Sequence, residues 1–210
     1  MRVLAIWVLG CAAVLPQLGL AGTESAAGKA AYSSCVACHG AAGEGNAVLN
    51  APGLTHLGSV YIASQLDKFR TGLRGGLGAE PQAAQMAAMA NTLASDQAVM
   101  EVAQYISTLA DNPKVATVEG DIALGADYFN QMCGACHGPA AEGNPALNSP
   151  SLAGADDWYL LGQLTAFREG KRGMHADDRS GRQMRAMASV LPNEKAVNDV
   201  VAFIASLSAP

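Results

Sequence analysis

CVACHG at residues 35–40 and CGACHG at residues 133–138 decide how this chain is read. In each, two thiols three residues apart lie along one edge of a single helical turn, and the next residue is an imidazole. That pattern suits covalent attachment of haem c, with two thioether bonds to the porphyrin and the histidine on its iron. Cys35, Cys38 and His39 would hold one haem, and Cys133, Cys136 and His137 a second. Zinc is the competing reading, because CxxC is also half of a tetrahedral ligand set. Two complete CxxCH motifs in an exported, repeated sequence favour haem.

Working outward, the chain aligns with itself at an offset of 98 residues, from Cys35 against Cys133 to Leu109 against Leu207, with about 32 of 75 pairs identical. The matches include Asn50 with Asn148, Pro52 with Pro150, Tyr61 with Tyr159, Gln65 with Gln163, Phe69-Arg70 with Phe167-Arg168, Arg74-Gly75 with Arg172-Gly173, and Gln85-Met86 with Gln183-Met184. A period this long means duplicated domains rather than a solenoid. We place the first domain at 22–110, a linker at 111–119 and the second domain at 120–210. Strand patterns are nearly absent, so the expected class is all-α. Helices are expected at 25–35 and 121–133, at 59–71 and 156–169, and after the start signals Ser95-Asp96 and Pro192-Asn193, with glycine- and proline-rich loops between them.

Residues 1–21 read as a secretory signal: Arg2, an apolar run from Val3 to Leu15, then Gly19-Leu20-Ala21. A transmembrane anchor is the alternative, but Pro16 and Gly19 interrupt the run short of the roughly 20 apolar residues a span needs. The expected location is therefore the periplasm. Without Cys11, the four remaining cysteines all belong to the two motifs. A formal charge of −5 argues against nucleic acid as a partner. Aromatics are only 5% of the sequence, few for two small cores, so a cofactor in each half is expected to supply the missing bulk.

A haem iron closed on both sides exchanges electrons, whereas an open one binds small molecules, and methionine sulfur is the usual closing ligand for electron transfer. The glutamine-methionine pair follows the histidine by 47 residues in both halves, His39 to Met86 and His137 to Met184. Met89 and Met187 repeat equally well, and spacing alone does not choose within each pair. In the second half Arg168, Lys171, Arg172, Arg179, Arg182 and Arg185, interleaved with Asp177 and Asp178, read as a solvated face in preference to a docking patch. His175 reads as an exposed loop histidine, and His56, opposite Gly154 in the repeat, is given no role.

The duplicated CxxCHG followed by Gly-Asn, the helix ending Phe-Arg-x-Gly-x-Arg-Gly, and QMxxMAxxL before a capped helix resemble dihaem class I cytochromes c of the cytochrome c4 type. The resemblance spans nearly all of 25–208 and implies two packed cytochrome c domains with two haem c groups. It also implies Met86 and Met184 as axial ligands, beside His39 and His137. The first half departs from the family in its loop Gly75-Gly76-Leu77-Gly78-Ala79-Glu80. By this likeness the chain is no enzyme. It is expected to be an electron carrier between a quinol-oxidising complex and a terminal oxidase or reductase, with redox proteins as partners and no small-molecule substrate. Two alternatives are a cytochrome subunit of a sulfide-oxidising flavocytochrome and a dihaem enzyme with an open iron.

Overall fold

Each half begins where a polar side chain caps a helix. Ser25 accepts from the Gly28 amide at 3.1 Å and opens α1 (Ala26–Tyr32), and the first motif then forms the short α2 (Val36–His39). Next come α3 (Ser59–Arg70), α4 (Pro81–Ala90) with proline in its first turn, and α5 (Asp96–Ile106), whose cap is Ser95. The second half repeats the order with α6 (Ile122–Tyr128), α7 (Gly134–His137), α8 (Asp157–Arg168), α9 (Arg179–Ala188) and α10 (Glu194–Leu207). This computed structural model describes residues 25–207, so the signal assigned to 1–21 lies outside the described residues. Among the described residues there is no strand, only the isolated bridges Asn46 to Ala51 and Asn144 to Ser149.

Two differences from the sequence reading are instructive. The methionines stand on helices, α4 and α9, where loops are expected. And the helix entering the second motif does not run straight to Cys133: α6 ends at Tyr128 and a π-helical turn covers Phe129–Cys133. Gly28 precedes Cys35 by seven residues and Gly125 precedes Cys133 by eight, and a wider turn takes up one extra residue without changing how the motif is presented.

Each half has its own core. In the first, Val99, Val102, Ala103 and Ile106 of α5 pack with Tyr32, Ile62 and Ala63; in the second, Val197, Val200, Val201 and Ile204 of α10 pack with Phe129, Leu160 and Leu191. The i, i+3, i+4 spacing of these residues puts them on one helix face. The first and last helices of each half meet so closely that a β-carbon on Gly28 would stand 2.3 Å from the Glu101 carbonyl oxygen, and one on Gly125 would stand 1.9 Å from that of Asp199.

The halves meet through reciprocal contacts. Arg74 donates to Gln65 of its own half at 2.9 Å and to Tyr159 and Gln163 of the other, both at 2.9 Å. Arg172 answers, donating to Gln163 at 2.6 Å, to Gln65 at 3.1 Å and to Tyr61 at 3.4 Å. Each guanidinium lies 4.5 Å over the phenylalanine ring of its own half, Phe69 or Phe167. Arg172 is therefore part of the junction and not of a solvated face. Other junction contacts have no counterpart: Lys68 pairs with Asp178 at 2.7 Å and donates to Ser180 at 2.6 Å, and Asp156 accepts from the Gly53 amide at 2.7 Å. The connecting segment is pinned too. Lys114 pairs with Asp156 at 3.1 Å, and buried Asp157 accepts from the Thr117 amide, the Thr117 hydroxyl at 2.8 Å, and the Val118 and Trp158 amides at 2.7 Å each.

Candidate functional site

The motif helices are held from both ends. The Cys35 amide donates to the Tyr32 carbonyl at 2.8 Å, and the Tyr32 hydroxyl donates to the Gly40 carbonyl at 2.7 Å. Gly40 and Gly138, the last residue of each motif, both adopt φ 82°, and a β-carbon there would run into the Glu44 or Glu142 carboxylate at 2.1 or 2.3 Å. The chain then doubles back, the Gly45 and Gly143 amides donating to the His39 and His137 carbonyls at 2.8 and 2.6 Å.

His39 and His137 are buried, at 6% and 5% exposure. Each ring makes one hydrogen bond through Nδ1, to the Pro52 carbonyl at 2.8 Å and to the Pro150 carbonyl at 3.0 Å. A carbonyl can only accept, so Nδ1 carries the proton and Nε2 keeps its lone pair for a metal. Burial pulls both imidazoles below the ordinary histidine range, against the proline carbonyls, which favour the protonated ring. Pro52 and Pro150 stand in register because the Asn46 and Asn144 bridges to Ala51 and Ser149 close the loops just before them.

The four thiols are half-buried and unbridged. Burial raises the Cys35 thiol and pushes that of Cys133 up to about 11, so both are neutral rather than thiolates. Among the described residues no three His, Cys, Asp or Glu side chains converge on a point where an ion could sit, so the zinc set is not assembled. The arrangement instead offers two thiols and one imidazole per half to a group that brings its own metal, as haem does.

Both candidate methionines lie half-buried, Met86 on α4 and Met184 on α9, and these helices pack against α3 and α8. Met89 is exposed at 37%, which sets it apart from Met86, whereas Met187 is half-buried like Met184. His175 is indeed an exposed loop residue, its Nδ1 accepting from the Asp177 amide at 3.2 Å.

A second observation favours haem. Arg74 and Arg172 are two cations in one junction, yet among the described residues no carboxylate hydrogen-bonds to either, and Arg74 Nε is buried with no partner there. Burial and the neighbouring Arg74 together lower the pKa of Arg172. Such a pair fits an anion, which the propionate carboxylates of a haem would supply. Arg74, Arg172 and the proline carbonyls are visible in the repeat as matched positions, but the matching says nothing of what they touch.

The sequence profile of the cytochrome c family matches residues 25–110 and 122–208. Cytochrome c4 of Azotobacter vinelandii is 31% identical over 195 residues, covering 86% of this chain and 90% of that protein. The thiosulfate dehydrogenase electron acceptor of Thiomonas intermedia (strain K12) is 35% identical over 181 residues, covering 81% and 77%. Among solved structures, reduced recombinant cytochrome c4 from Pseudomonas stutzeri superposes with a TM-score of 0.64 at 29% identity, covering 85% of this chain and 95% of that one.

Proposed function

Because the chain belongs to the cytochrome c family, we propose that it is a periplasmic electron carrier whose two irons are each closed by one histidine and one methionine. Its two domains and their CxxCH motifs imply two covalently bound haem c groups, which supply a one-electron couple between ferrous and ferric iron. The chain does the rest. Cys35 with Cys38, and Cys133 with Cys136, would fix each porphyrin covalently. Pro52 and Pro150 aim the His39 and His137 rings and keep Nδ1 protonated, which makes Nε2 the better donor. Met86 and Met184 would supply a soft sulfur, which favours the reduced iron and raises the potential.

One observation carries this reading: both halves repeat the same buried, proline-oriented histidine together with a methionine-bearing helix at the same spacing, so neither half is set apart as an open, substrate-binding site. The donor is proposed to be a quinol-oxidising membrane complex and the acceptor a terminal oxidase or reductase. The likeness to a thiosulfate dehydrogenase electron acceptor favours a second donor, a sulfur-compound dehydrogenase.

The test is the oxidised absorption spectrum of the haem-loaded protein. Methionine-to-iron charge-transfer intensity for two irons is expected. Met184→Ala should remove half of it and lower one of the two potentials, while Met187→Ala leaves both unchanged. Loss of the band in Met187→Ala would reassign the ligand, and absence of the band in the wild type would point to an open iron.

A further inference from the structure

The duplication provides an internal control for the surface around each methionine. Helix α9 reads RSGRQMRAMA where α4 reads PQAAQMAAMA, so Arg179, Arg182 and Arg185 stand where the first half has Pro81, Ala84 and Ala87. All three arginines are exposed. At i, i+3 and i+6 they form one slanting row, within about 9 Å along the axis, which starts opposite buried Gly181 and Ala188 at Arg179 and drifts to within about 40–60° of them at Arg185.

The acids that interleave them in sequence do not neutralise the row. Asp178 is buried, caps α9 through the Gly181 amide at 2.9 Å and pairs with Lys68. Among the described residues no carboxylate forms an ion pair with any of the three, and the one hydrogen bond in the row runs from Arg182 to the Ala176 carbonyl at 2.8 Å. Three like charges at this spacing repel and weaken the helix. They stand on a protein of net charge −5, which keeps acidic partners away from the rest of the surface.

We infer that α9 is the docking face for an acidic protein surface, and that the second half, not the first, receives this partner. The occupant is a protein rather than an anionic bilayer, because the exposed residues interleaved with the arginines along α9, Gln183 and Ala186, carry no apolar side chain long enough to insert, and exposed Met174 and Val190 lie beyond the two ends of the helix. Complementary charge of this kind sets orientation and encounter rate more than final affinity. The inference rests on the carrier reading, since a partner seated on α9 covers the helix that bears Met184.

The test compares the haem-loaded protein with its R179Q/R182Q/R185Q variant, using three anionic probes at low salt. Paramagnetic hexacyanochromate(III) should broaden wild-type amide signals of 179–187 and spare 81–89, and the variant should lose that broadening. Poly-L-glutamate should bind the wild type about tenfold more tightly than the variant, a difference that high salt abolishes. Phosphatidylglycerol vesicles should retain neither protein. Equal broadening on α4, equal polyglutamate binding by both proteins, or vesicle capture that the variant loses would each overturn the inference. These are surface readouts. Failure of the carrier reading would appear instead in the charge-transfer band, which the variant is expected to retain.

Discussion

His56 is the residue whose environment its own neighbourhood in sequence does not announce. Its Nδ1 is buried without a hydrogen-bond partner beside the Lys114 and Asp156 pair, and burial, assisted by Lys114 and opposed by Asp156, pushes its pKa down to about 4. In the unfolded chain an imidazole titrates near 6.5. Between those values the unfolded state holds more protons, so stability falls as pH drops from about 6.5 to about 4 and levels off below that, a loss of about 3 kcal/mol. Thermal unfolding of the haem-loaded protein across this window should show that loss, and His56→Gln should flatten it. Equal slopes in the two proteins would refute the assignment. The motif cysteines and histidines are legible in the sequence because their chemistry is local, six residues long. The burial of His56 depends on a segment 98 residues away, where a β-carbon on Gly154 would start 3.0 Å from that of His56.

At the scale of elements, the crossings of α1 with α5 and of α6 with α10 decide whether each half closes. Gly125→Ala should gain the helix propensity of alanine, about 1 kcal/mol, yet its methyl would collide with the Asp199 carbonyl, a backbone atom that no rotamer can move aside. The expected net cost is about 3 kcal/mol or more, seen as early urea unfolding of the second half. Gly162→Ala, in α8 with open space around the glycine, should instead stabilise by about 0.5–1 kcal/mol. The same sign for both variants would defeat the steric account. Helices α5 and α10 are legible because a strong apolar stripe follows a capping residue. Helices α4 and α9 are not, because the first is nearly all alanine and glutamine, the second is crowded with arginine, and both follow glycine-rich loops that read as a continuing turn. The π-helical turn before Cys133 leaves no signature beyond one extra residue.

For the whole molecule, the repeat makes two domains legible but not the way they join. The junction is polar, built from arginine, tyrosine and glutamine that look like ordinary surface residues until both halves are in place. Arg74→Met strands Tyr159 without a donor and leaves Gln163 with Arg172 alone, and Arg172→Met strands Tyr61 and leaves Gln65 with Arg74 alone, each at a cost of about 2–4 kcal/mol. The double variant should cost at least about 1 kcal/mol more than the sum, because either single change already relieves the repulsion between the two cations and leaves Gln65 and Gln163 one donor, whereas the double leaves them none. Strict additivity in urea unfolding of the four proteins would show that the arginines do not share one site.

Reciprocal contacts of this sort are what a symmetric homodimer makes, each copy offering the other the same patch. On the axis of such a dimer every residue faces its own twin, and a histidine at the position of His56 would meet a second histidine with no room for it. Joining the two copies in one polypeptide lifts that restriction. His56 can sit against Gly154, and Lys68 against Asp178, only because the two sides are separately encoded, so covalent duplication lets two halves of one design diverge without coming apart.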